Sequence, residues 1–154
     1  MDDDRQFKLP DKGRMDAPYD ESDILPEMLP VVRAIRNAGI ETIASNSEVG
    51  HIGDSPFGSY IQIRLIYKGG PEIAKKIDAF AKTLTPELRK ETGNPNLALQ
   101  VVSAEKWYDD QDTTSIEIIN LPIYRLQLTG HTNDEEIRYV WNTVAEKFNH
   151  SVIE

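Results

Sequence analysis

Apolar and polar positions alternate most clearly between Tyr60 and Tyr67, where Ile61, Ile63 and Leu65 interleave with Tyr60, Gln62 and Arg64. A period of two sends the first set to one face of a strand and the second set to the other. Gly69-Gly70 closes this strand, and Pro71 opens a stretch in which Ile73, Ile77, Phe80 and Leu84 recur at helical spacing. Thr85-Pro86 predicts a break there, with a second helical turn beyond it, and Thr92 to Asn96 is rich in loop formers.

The same reading extends in both directions. Leu25, Leu29, Val32 and Ile35 predict a first helix capped by Ser22 or Asp23 and closed at Gly39, with Pro26 and Pro30 delaying its regular part until about Pro30. Ile40 to Ser45 then reads as a short strand, and Asn46 to Ser59 as a long loop. Further on, Leu97 to Ser103 is strand-like and extends toward Trp107-Tyr108. After the acidic turn Asp109 to Asp112, Ile116 to Leu128 is a strand in which Pro122 implies a bulge or an edge. Thr132 and Glu135 form a capping box before Ile137, Val140, Trp141, Val144 and Phe148, which line one face of a last helix.

The order is two successive helix-strand-strand units followed by a C-terminal helix. This is an α+β fold in permuted ferredoxin-like order, whose antiparallel sheet buries one face under helices and leaves the other to solvent.

Ahead of this pattern, residues 1 to 22 hold Asp2, Asp3, Asp4, Asp11, Asp16, Asp20 and Glu21, with only Phe7 and Leu9 as bulky aliphatic or aromatic residues before Pro18-Tyr19. They read as a disordered acidic tail in which Phe7 to Leu9 is the one candidate edge strand, and residues 23–154 as one domain. The whole chain carries 17 Lys and Arg against 26 Asp and Glu, a net charge of −9, which disfavours binding to a phosphate backbone. Direct nucleic-acid binding is therefore not expected. With no cysteine, disulfides, thiolate metal sites and a cysteine nucleophile are excluded, and a reducing, cytoplasmic setting fits. The start Met-Asp-Asp-Asp lacks the order of a signal peptide, and no apolar run reaches membrane-spanning length, so no membrane partner is expected.

Leu29-Pro30-Val31-Val32, Ala38-Gly39-Ile40-Glu41-Thr42, Ser45 and Gly50-His51 together resemble a group of small uncharacterised bacterial and phage proteins. Their pattern is a helix, Ala-Gly-Ile-Glu-Thr, then Ser-Cys and a glycine-rich stretch ending in Gly-His. Arg64 and Trp107 are similar to a later arginine and aromatic of that group. The match covers about a sixth of the chain, and the group's cysteine is Asn46 here. The resemblance implies a fold and a phage or mobile-element setting, without thiol chemistry.

Candidate chemistry gathers at the loop from Ser45 to Asp54 and on the strand after it. Ser45, Asn46, Ser47 and His51 bring hydroxyls, an amide and an imidazole beyond a strand end, where Glu48 or Asp54 can fix the His51 tautomer. The same composition also describes an ordinary polar turn. Tyr60, Gln62 and Arg64 share a strand face, and Arg125 joins them if the strands are neighbours; arginines without an acidic partner favour an anion. On an open sheet surface, replacing His51 or Arg64 is expected to change stability by within about 0.5 kcal/mol.

Gly69-Gly70-Pro71, with Lys68 beside it, offers helix amides to an anion but lacks phosphate-loop spacing. The histidines His51, His131 and His150 lie far apart with no metal-ligand spacing, so no metal and no cofactor are expected.

Three functions follow as expectations. The first is a small soluble binding protein for an anionic or nucleotide-like ligand, held by Ser45, Asn46, Ser47, His51, Tyr60, Gln62, Arg64 and Arg125. The second is a hydrolase of a small ester or phosphoester, with His51 as acid and base. The third is an acidic interaction or inhibitor protein with a basic protein partner, or a homo-oligomer.

Overall fold

In a computed structural model of the chain, residues 21–65, 69–104 and 122–154 are described. The expected tail strand at residues 7–9, the extension to Trp107-Tyr108, the acidic turn 109–112 and the start of the strand from Ile116 lie outside them. So do Lys68 and all of the expected tail except Glu21 and Ser22. Those two residues open a 3-10 turn, Glu21–Asp23, from which the Glu21 carboxylate takes both Nε and a terminal amine of Arg33 at 2.8 and 2.7 Å.

A second 3-10 turn, Pro26–Met28, leads directly into α1, Leu29–Asn37. Neither Ser22 nor Asp23 caps that helix; its N-cap is Met28, without a side-chain bond. Pro30 lies in the first turn and has no amide to satisfy, which lowers the need for a cap. Gly39 closes α1 as expected, at φ 94°. The amides of Gly39 and Ile40 return to the carbonyls of Arg36 and Ile35 at 2.9 and 3.3 Å, a paired closure that needs the left-handed residue at position 39.

The chain continues through β1 Glu41–Asn46, β2 Ser59–Arg64, α2 Gly70–Thr92, β3 Ala98–Ser103, β4 Ile123–Thr129, α3 Asp134–Lys147 and a last 3-10 turn, His150–Ile153. The four strands form one sheet in the order β1-β2-β4-β3 with every pair antiparallel. β2 and β3 therefore run parallel on either side of β4 and are bridged by α2, while β1 adds to the far side of β2. This is the permuted ferredoxin-like arrangement that the element order predicts.

The helices cover one face. Ile61, Ile63, Leu65, Leu99, Leu126 and Leu128 join Val32 and Ile35 of α1, Ile77 and Leu88 of α2, and Val140, Trp141 and Val144 of α3 in a single buried cluster. Two local expectations change. The α2 helix runs unbroken through Pro86, because Ala81, Leu84, Thr85 and Leu88 keep one buried stripe in phase across it. Lys82, whose carbonyl loses its intrahelical donor to the proline, is exposed and can turn to solvent. Pro122 makes neither bulge nor edge: it stands just ahead of an interior strand, and its carbonyl accepts the Leu65 amide at 3.0 Å. The bulge is in β1, between Thr42 and Ala44.

α2 also seals one edge of the sheet. Arg89 Nε donates to the Leu97 carbonyl at 2.7 Å, Thr85 Oγ1 to the Leu99 carbonyl at 3.5 Å, and the Val101 amide to Asp78 Oδ1 at 2.9 Å. These bonds occupy outward backbone groups of β3 and of Leu97 just ahead of it, which a second chain would otherwise pair with.

Candidate functional site

Two sets of residues stand out, one on a sheet face and one in the loop at the end of that face. The first is on the face away from the helices. Gln62 lies opposite Arg125, Tyr60 opposite Gln127, and Asn46 and Ala44 opposite Tyr60 and Gln62, so these side chains share a face. The one-residue bulge in β1 then turns Glu41, rather than Thr42, toward Arg64. Arg64 Nε and a terminal amine donate to the two Glu41 oxygens at 3.0 and 2.6 Å, with the carboxylate buried.

Arg125 lies with its guanidinium carbon 3.9 Å from the centre of the Phe57 ring, and that ring meets Tyr60 edge-on at 5.8 Å. Phe57 comes from the loop just before β2, where Gly58 at φ 71° runs so close to Leu128 that a Cβ would meet its carbonyl oxygen at 2.4 Å. The middle of this face is not the solvent-washed surface expected, Gln62 being 2% exposed and Arg125 7%, whereas Ala44 at the β1 edge is exposed. The expectation of arginines without an acidic partner fails at Arg64, which Glu41 holds bidentately.

The second set organises the loop itself. Glu48 has φ 65°, in the left-handed region that side chains rarely adopt, and its carboxylate is turned inward. One oxygen lies 2.7 Å from His131 Nε2, and the other accepts the amides of Gly53 and Ser55 at 3.2 and 2.9 Å. Both side chains are buried, 2% exposed for Glu48 and 4% for His131. Among the described residues His131 Nδ1 is buried without a hydrogen-bond partner. The start of the loop is tied down separately, Ser47 Oγ donating to Glu27 at 2.6 Å and the Gly50 amide to Asp134 at 2.9 Å.

The residues expected to bind a ligand thus separate. Tyr60, Gln62, Arg64 and Arg125 are on one face, and Asn46 borders it while accepting the Glu48 amide at 3.1 Å. Ser45 lies opposite Ile61 and so shares the helix-covered face. Ser47 is buried in its bond to Glu27. His51 is 76% exposed at the loop tip, with Asp54 at 3.6 Å. Glu48 fixes the ring of His131 instead of that of His51, a pairing across 83 residues that no local spacing signals. Phe57 is legible only as the aromatic residue ahead of the strand, and Glu41 becomes a partner only through the bulge.

Gly70 has a packing role, since a Cβ there would meet the Leu65 carbonyl oxygen at 2.5 Å. Among the described residues no three His, Asp or Glu side chains converge as metal ligands, and no helix is long and apolar enough to cross a membrane. A groove of about 510 Å³ between α2 and the C-terminal turn, lined by Phe80, Leu84, Val152, Lys76 and Lys147 among others, contains none of the candidate ligand-binding residues.

The turn carrying His131 leads into α3. The expected capping box is one residue further on: Asn133 accepts the Glu136 amide at 2.9 Å, and Glu136 reaches back to the Thr132 amide at 2.8 Å and to Asn94 at 3.0 Å. Burial raises the Glu136 carboxyl, but the Thr132 amide, the Asn94 amide, the Thr132 hydroxyl and nearby His131 outweigh it and hold the group below its ordinary 4.5. A carboxyl lowered on folding adds stability above its unfolded value, and the contribution is lost as pH falls through the folded one. The stability gap between the wild type and Glu136→Gln is therefore expected to shrink as pH drops below 4.5. Urea unfolding across that range measures it, and a constant gap overturns the assignment.

The chain matches no family model, no curated protein and no solved structure.

Proposed function

We propose that this is a binding protein for a small anionic, nucleotide-like ligand, taken up on the helix-free sheet face beside Tyr60, Phe57 and Arg125. One observation carries the reading: a guanidinium stacked 3.9 Å over Phe57, whose ring meets Tyr60, with the Gln62 amide on the adjoining strand. A planar base suits the aromatic pair, and an anionic group suits a guanidinium. Arg64 takes a structural part, because its two donor edges are already engaged by Glu41. A cytoplasmic setting and a phage or mobile-element role accompany this reading as proposals. Hydrolysis by His51 is less well supported, since that ring stands in solvent with a carboxylate 3.6 Å away.

A thermal-shift screen with ATP, AMP and inorganic phosphate, followed by calorimetry, tests the proposal. Arg125→Lys keeps the charge but loses the planar fork and the stack, so the affinity for the nucleotide found is expected to fall at least about tenfold. Binding that Arg125→Lys leaves unchanged, or no binding by any of the three probes, overturns it.

A further inference from the structure

The buried carboxylate–imidazole pair and the aromatic contact of the sheet face are joined by a continuous chain of short bonds. His131 Nε2 is 2.7 Å from one Glu48 oxygen, and the other accepts the Ser55 amide at 2.9 Å. Ser55 Oγ in turn accepts the Phe57 amide at 3.1 Å, and the Phe57 ring carries Arg125 and Tyr60. From this we infer that Glu48 and His131 form a clasp that positions Phe57, and that the clasp regulates the ligand site by deciding whether Arg125 and Tyr60 are held together. The inference deepens the proposed function and rests on that reading of the site.

The loop divides in a way that gives the clasp this role. Its first half is held by Ser47 on Glu27 and by Gly50 on Asp134. Its second half, which bears Phe57, takes side-chain bonds from Glu48 at Gly53 and Ser55 and from Ser55 at Phe57. Removing the clasp therefore loosens Phe57 while leaving the loop anchored where it leaves β1.

Two unfavourable features also fall on the clasp itself. Glu48 has φ 65°, and His131 Nδ1 is buried with no partner among the described residues. A passive turn would carry glycine or asparagine at position 48 and would not bury an imidazole. Local departures of this kind concentrate where a protein holds a site in one arrangement.

Amide exchange and ring NOEs test the clasp in the full chain, using His131→Leu, Glu48→Gly and His131→Gln. Glycine accepts φ 65° without strain, so Glu48→Gly removes the carboxylate but not the backbone path. In His131→Leu and Glu48→Gly, the Gly53 and Ser55 amides are expected to exchange about tenfold faster or more, as local opening becomes easier. The Phe57–Tyr60 NOEs disappear with them, while β2 and β4 stay protected. His131→Gln, which can still donate to the carboxylate, retains both signals.

Protected loop amides in both disrupting variants, or full-strength NOEs beside freely exchanging amides, overturn the inference. Should neither variant fold, native-state exchange of the wild type in rising urea reads the same link. Gly53, Ser55 and Phe57 opening together supports it, and separate opening refutes it. Loss of ATP affinity in step with release of Phe57 supports the regulatory role. Release of Phe57 with ATP affinity unchanged refutes that role, whereas failure of the ligand reading itself shows as binding insensitive to Arg125→Lys.

Discussion

Trp141→Ala is expected to lower the unfolding free energy by about 3 to 5 kcal/mol, the range for emptying a large aromatic site in a packed core. The indole is 1% exposed on the inward stripe of α3, among the largest fully buried side chains. Its Nε1–H donates to Ser59 Oγ at 2.7 Å, and that hydroxyl donates to the Asn46 carbonyl at 3.2 Å. The substitution therefore leaves a cavity and also frees a buried hydroxyl that joins the start of β2 to the end of β1. Trp141→Phe separates the two effects: it keeps much of the ring but not the donor, and is expected to cost about 1 to 3 kcal/mol. Urea unfolding at neutral pH measures both. A near-neutral Trp141→Ala would turn α3 around and take Ile137, Val140 and Val144 out of the core with it.

That inward stripe shows what a sequence states openly. Ile137, Val140, Trp141, Val144 and Phe148 have helical spacing, and all five are buried. The αββαββα order follows from the same kind of local signal, as does closure of α1 at Gly39, where the chain needs a left-handed residue. Pro86 misleads because a proline is read as a local break, whereas the buried stripe on both sides of it is a tertiary constraint that a single lost amide bond does not outweigh.

The candidate site is less legible for a definable reason. Its polar side chains find their partners through strand register and loop closure, which depend on the whole fold. Arg64 and Glu41 are 23 residues apart, and Glu48 and His131 are 83 apart. A bulge of one residue selects Glu41 over Thr42, and nothing in the pattern Ile40 to Ser45 announces it. Strand alternation correctly groups Tyr60, Gln62 and Arg64, with Arg125 added by register, yet it cannot say that Gln62 and Arg125 are buried. Alternation reports which side a residue is on, and burial depends on what lies over that side.

Burial changes the expected consequence of removing Arg64. On an open surface the substitution would be nearly neutral, but here it strips a bidentate partner from a carboxylate that is 2% exposed. Breaking a buried ion pair from one side typically costs about 3 to 5 kcal/mol, because the remaining charge is left poorly solvated. Arg64 is itself 18% exposed, which softens the penalty, so Arg64→Met is expected to cost about 3 kcal/mol. The double variant Glu41→Leu with Arg64→Met removes the stranded charge and is expected to recover part of that loss, since an apolar pair of similar volume often replaces a buried ion pair at little cost. His51→Ala, at the exposed loop tip, serves as the surface reference and is expected to stay within about 0.5 kcal/mol of the wild type. Denaturant unfolding of the wild type, Arg64→Met, Glu41→Leu and the double variant measures the cycle, with His51→Ala alongside. A single Arg64→Met as mild as His51→Ala, or a double variant worse than the single by the full cost of a second lesion, would mean that the Glu41 carboxylate does not depend on Arg64, and the bulge in β1 would lose its electrostatic rationale.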